Sequence, residues 1–273
     1  MFQFNPYPIH VVYSRHWQEQ IPNSAADFYI AGDNKMGDWM RKTGRSLMEI
    51  VEDSAPAYTA ERLAWEQTMR NLLEKINKNI VGRMVLELLK PEIKVYILPD
   101  PDLFWAAVTH PMKTAKEGGG IRIHFNPEQW PGVADDTLAH ELVHAMRQGN
   151  SRVIPYAERI KDWPNLDEFL ATQVQNVYRS ANGSKQLYDT YTYFQGKFAS
   201  KGSIYSEFVH MEYAEPLRAI KNFMLHEPLA KKLAYLPVVH PEFNPFRDLP
   251  VFERMVLGRF QEPGSAAGTL VPY

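Results

Sequence analysis

The chain has 273 residues, 45% apolar, 23% charged and 12% aromatic, with a net charge of −2 and no cysteine. That length supports one large domain or two modest ones around a buried core, and so aromatic a composition argues against disorder. The small net charge and the lack of a basic run exclude a nucleic-acid reader, the lack of cysteine excludes disulfides and thiolate metal sites, and no apolar run reaches the roughly 18 residues of a membrane span.

Residues 1–56 read as an irregular segment or linker punctuated by Pro6, Pro8, Pro22 and Pro56, with one short helix expected at Asp38–Val51. Met1–Trp17 lacks the basic stretch and apolar core of a Sec signal peptide. A main domain is expected over 57–260 and a loose Gly/Ser/Ala/Pro-rich tail over 261–273. Thr59–Asn79 has Leu63, Met69, Leu72, Leu73 and Ile76 at helical spacing, and Gly82 is expected to break or bend it before Met84–Leu89. Lys94–Leu98 reads as a strand stopped by Pro99-Asp-Pro. Gly118–Gly120 reads as a flexible turn before Ile121–Phe125, a half-buried alternating strand. Asp135–Gln148 is a helix with capping oxygens expected from Asp135, Asp136 and Thr137 and a stop at Gly149. Leu166–Arg179 is the next helix, closed by Ser180–Gly183, and broken helix with aromatic loops follows to Gly258. The fold class is α+β, mainly helical, with a small mixed sheet beside the helix over 135–148.

That helix contains His140-Glu141-Leu142-Val143-His144. Two histidines four residues apart put both imidazoles on one helical face, at the separation two ligands of one tetrahedral ion need. Glu141 follows the first ligand, about 100° round the helix, and reaches a water on the ion without occupying a coordination position. Zinc lowers the pKa of such a water towards ~7, so the carboxylate can take its proton. This is the chemistry of the His-Glu-x-x-His pattern, and it implies one Zn2+ per chain.

A catalytic zinc takes three protein ligands and one open position. Glu168, 168 − 144 = 24 residues after the second histidine, sits on the next helix after a loop long enough for an antiparallel return. Asp167, His210, Glu212 and Glu215 are the competing third ligands. Tyr178, Tyr213 and His210 are candidate transition-state stabilisers by residue type, and Arg179 and Arg218 are candidate partners for a substrate carboxylate. The strand containing Ile121 and Ile123 is expected at a sheet edge, where an extended peptide adds beside the zinc. Lone histidines such as His226 and His240 are expected in packing or at the surface.

His-Glu-Leu-Val-His-Ala (140–145), Asp-Glu-Phe-Leu-Ala (167–171), Asn-Val-Tyr-Arg-Ser (176–180) and Asn-Pro-Phe-Arg-Asp (244–248) together resemble bacterial effector metallopeptidases. These are the type III effector zincins that cleave host kinases and the peptidase extensions of type VI spike (VgrG) proteins. The resemblance covers roughly residues 94–180, with a trace near 244. It implies a zincin-like fold and a zinc endopeptidase with Glu168 as third ligand, in the gluzincin manner. It further implies a toxin delivered without the Sec route into another cell's periplasm or cytosol, with a secretion spike or carrier and an immunity protein as partners. Thr172 stands where thermolysin-like enzymes have an acid that orients a ligand histidine, so the supporting groups must come from Asp136 or backbone carbonyls. The metzincin motif is absent, because the glycine after Arg147 and Gln148 comes two places late. The substrate expected is a protein or peptide. The alternatives are a cytosolic housekeeping zinc peptidase and a catalytically silent zinc-bound binding module. The intact Glu141 argues against the silent module.

Overall fold

The computed structural model describes residues 2–13, 60–100, 107–112, 120–129, 131–150, 160, 163–189, 198–209, 214–238 and 240–260. These are mainly helical with a small mixed sheet, and they divide into two compact units, Met1–Val153 and Ile154–Tyr273. The expected helix at Asp38–Val51 and the tail 261–273 lie outside the described residues.

In the first unit the sheet runs β1-β2-β3-β5-β4. Strands β1 (Phe2–Phe4) and β2 (Ile9–Val11) are antiparallel, and β2 then runs parallel to β3 (Lys94–Pro99). Both N-terminal strands fall in the segment read as irregular. Each is only three residues long, too short for an alternation to register, and Pro6 and Pro8 sit in the turn between them.

The strand β5 (Gly120–Phe125) is not an edge. It lies between β3, to which it is parallel, and β4 (Ala107–Met112), to which it is antiparallel. Ile121 pairs with Val95 and Pro111, and Ile123 with Ile97 and Thr109. Both flanks of the Ile121–Ile123 ladder are therefore occupied, and a peptide cannot add there. The outer strand on this side is β4, which sequence reading passed over because Pro111 lies within it; proline in a sheet belongs on an outer strand. Gly120 opens β5 where a Cβ would come 2.7 Å from the Lys94 carbonyl oxygen, so the close strand approach favours glycine. Gly118 and Gly119 lie outside the described residues.

Helix α1 (Ala60–Lys78) buries Trp65, Met69, Leu73 and Ile76, at intervals of three and four. The break before α2 (Ile80–Glu87) comes at Asn79 rather than at Gly82. Asn79 Oδ1 accepts from the N–H groups of Val81 (2.8 Å) and Gly82 (3.2 Å), which caps the new helix. Gly82 sits inside α2, where a Cβ would run into the Ile76 carbonyl.

A 3-10 turn, Pro131–Val133, leads into α3 (Ala134–Gly149), which packs on β4, β5, α1 and α2. The helix begins one residue before the expected start, and its N-cap, Val133, contributes no side-chain bond. Asp135 instead meets Lys75 of α1 at 2.9 Å, which ties the start of α3 to its neighbour and complements the helix dipole.

The second unit holds α4 (Leu166–Ala181), a ribbon of β6 (Leu187–Tyr188) and β7 (Phe198–Ala199), and then α5 (Lys201–Val209), α6 (Ala214–His226), α7 (Pro228–Ala234) and α8 (Pro245–Phe260). Its core is aromatic: Phe169 of α4 packs against Trp163, Phe208 and Phe223. Asn244 and Arg247, in the segment 244–248, serve the fold. Asn244 Nδ2 donates to the Leu233 carbonyl, and Arg247 pairs with Asp248.

Candidate metal centre

The helix α3 is buried on nearly all sides although much of it is polar. Asp135, Asp136, Thr137, His140, Glu141, His144 and Arg147 are all buried beside Leu138, Leu142 and Val143. Charged and imidazole side chains are costly to bury without partners, so each of these groups must be met within the fold. The i, i+4 spacing places His140 and His144 on one face, with their ring planes 71° apart and centroids at 4.8 Å. Their Nε2 atoms are 3.0 Å apart, at 1% and 6% residue exposure. Tetrahedral zinc bonds of about 2.0–2.1 Å put two ligand atoms roughly 3.3 Å apart, so the pair is already close to coordination distance.

Glu168 enters from α4. Asn165 caps that helix, its Oδ1 accepting from the Glu168 N–H at 2.9 Å, so the backbone from which the Glu168 side chain springs is fixed. One ligand atom each from His140, His144 and Glu168 lies within 4.8 Å of the others. These three residues could hold a metal ion. Two neutral nitrogens and one carboxylate oxygen, with no sulfur, form a donor set suited to zinc. Glu141 is buried at 7% exposure, one position on from the first histidine.

Among the other expected site residues, Tyr178 is buried on α4, ten residues beyond Glu168 and so about 15 Å along the helix axis from it. Asp167 is buried in the first turn of α4. Arg179 donates from Nε to the Gln186 carbonyl at 2.9 Å and lies 4.8 Å from the ring centres of both Tyr188 and Phe198, which ties α4 to the β6–β7 ribbon. Glu215 and Arg218 are exposed on α6, and His226 is exposed at its end. His240 contacts the Ala181 carbonyl through Nε2 at 2.7 Å. His210, Glu212 and Tyr213 lie outside the described residues.

A buried pair escaped the sequence reading. His124 of β5 places Nδ1 3.3 Å from Oδ2 of Asp100, just past the end of β3. Burial pushes the His124 pKa below the ordinary imidazole value, against the opposing pull of Asp100, with nearby Arg122 adding to the depression. Twenty-four residues separate the two, so only the parallel pairing of β3 with β5 could have signalled their meeting.

No family model, curated protein or solved structure matches this chain.

Proposed function

We propose that the chain is a zinc metallopeptidase that hydrolyses peptide bonds with a zinc-activated water. The observation carrying this reading is the buried His140–His144 pair with Nε2 atoms 3.0 Å apart, Glu141 between them in sequence and Glu168 within the same cluster. Bound zinc supplies a water of lowered pKa and polarises the substrate carbonyl. His140, His144 and Glu168 would hold the ion. Glu141 takes a proton from the attacking water and returns it to the leaving amine as the C–N bond breaks. Its carboxylate springs from a helix packed on a sheet, so its approach to the water is fixed by the scaffold. The outer strand beside α3 is β4, which makes it the place where an extended substrate segment would add.

The resemblance of residues 140–145, 167–171 and 176–180 to effector zincins supports a bacterial effector or toxin acting in another cell. Elemental analysis tests the metal. Wild-type protein is expected to carry about one zinc per chain, and His140→Ala and His144→Ala to lose it; retention in both variants contradicts the site. Expression in bacteria, in the cytoplasm and with an added export signal, tests the role. Harm that depends on Glu141 in either compartment supports the toxin. No such harm, with no eukaryotic protein cleaved, leaves a housekeeping peptidase.

A further inference from the structure

Glu168 differs from the two histidines in where its helix holds it. His140 and His144 lie in the middle of α3, more than one turn from either end, so the backbone bonds of the turns on both sides fix them. Glu168 is the third residue of α4. The first turn of a helix has N–H groups with no intrahelical acceptor, and it frays unless something else holds them. A ligand in that turn is only as well placed as the turn itself.

This turn is held in three ways. Asn165 is the N-cap, with an extended backbone, and its Oδ1 accepts from the N–H of Glu168 itself at 2.9 Å. Its carbonyl accepts from the N–H of the next residue, Phe169, at 3.2 Å. The Phe169 ring stands edge-on to Trp163, two residues before the cap, with centroids 5.0 Å apart, which fixes the entry angle of the chain as a hydrophobic staple does. Asn165 is 5% exposed, so water does not readily stand in for its side chain. The cap of α2 uses the same residue type for another purpose: Asn79 holds the N–H groups of Val81 and Gly82, whose side chains bind no metal. In α4 the capped N–H belongs to the candidate ligand.

We propose that Asn165 is a positioning residue for the metal centre, holding the first turn of α4 in the form that keeps the Glu168 carboxylate beside His140 and His144. The proposal rests on the zinc reading of that cluster. An ion takes Glu168 as a ligand only while the turn is formed, so the affinity measured is the intrinsic affinity scaled by the formed fraction. Loss of an N-cap side chain shifts the balance between a formed and a frayed turn by about fivefold. The effect reaches the ion through Glu168, because the Asn165 side chain bonds to that residue and the two histidines lie on another helix. Asn165 touches neither the ion nor the reacting atoms in this account; it acts through the ligand it holds.

Titration of the full chain with zinc against a chromophoric chelator tests it, with chemical denaturation of the same preparations. Asn165→Ala is expected to weaken zinc binding by a factor between about two and five. Asn165→Ser, whose hydroxyl accepts the same N–H, is expected to restore most of it. One cap is a small part of a domain's stability, so both variants are expected to fold. Tyr205→Phe is the control for a merely structural loss: it removes a bond between α5 and α8, and is expected to lower the denaturation midpoint while zinc affinity stays at the wild-type value. Equal affinity in wild type and Asn165→Ala, or equal weakening by Asn165→Ala and Tyr205→Phe, overturns the proposal and leaves the metal centre standing. A wild-type chain that binds no zinc overturns both.

Discussion

The Nε2 atoms of His140 and His144 face each other at 3.0 Å inside a helix that is otherwise close-packed. Two ring nitrogens so close repel unless a proton or a cation lies between their lone pairs. A proton serves one pair of atoms only. A cation bound by the pair would also engage the carboxylate of Glu168 in the same cluster.

Glu168 is therefore expected to bind metal rather than merely to start a helix. Glu168→Ala should weaken zinc binding by well over tenfold, more than the loss of a supporting outer-shell group, and abolish activity with it. Competition against a chromophoric chelator measures this. Unchanged affinity would place the third ligand elsewhere, and His210 is the next residue to replace.

Ile123→Pro should unfold the protein rather than inactivate it selectively. Ile123 is fully buried on a strand paired on both flanks, so proline removes a ladder donor and disturbs the core at once. Loss of the far-ultraviolet circular dichroism signal is the expected result. A folded, inactive variant would restore β5 as the substrate edge.

The helices Ala60–Lys78, Ala134–Gly149 and Leu166–Ala181 were legible because their signals are local. Apolar spacing in Ala60–Lys78 and the i, i+4 histidine spacing in Ala134–Gly149 each lie within one element. The sheet was less so. Whether β5 is central or outer depends on β4, whose Pro111 hides it, and the outlying β1 and β2 are too short to show a period. The Asp100–His124 pair likewise exists only through strand pairing.

His124 should make stability pH-dependent. Its pKa is lowered in the folded state, chiefly by burial, so the unfolded chain binds the proton more readily. The stabilisation is complete above about 6.5, the unfolded value, and is lost as the pH falls from there towards the folded value. Urea titrations across this range should show a steeper decline for wild type than for His124→Gln. Parallel declines would mean that other groups set the dependence.

Tyr205 should stabilise the second unit. Its hydroxyl donates to Asp248 Oδ2 at 2.7 Å and accepts from the Asn244 N–H at 2.8 Å, and burial first, then Asp248, pushes its pKa far up. Tyr205→Phe leaves both partners short of a bond and should cost about 1–3 kcal/mol. Chemical denaturation measures the loss, and an unchanged midpoint would mean that water replaces both bonds at no cost.

The central claim is that Glu141 moves a proton for a zinc-dependent hydrolysis. The direct measurement is peptide cleavage and zinc content in the same preparations of wild type and Glu141→Gln. The account predicts about one zinc in each, unchanged folding, and activity at least ~100-fold lower in the variant. A Glu141→Gln protein that cleaves as well as wild type, or a zinc-loaded wild type that cleaves no peptide from a broad library, would contradict it.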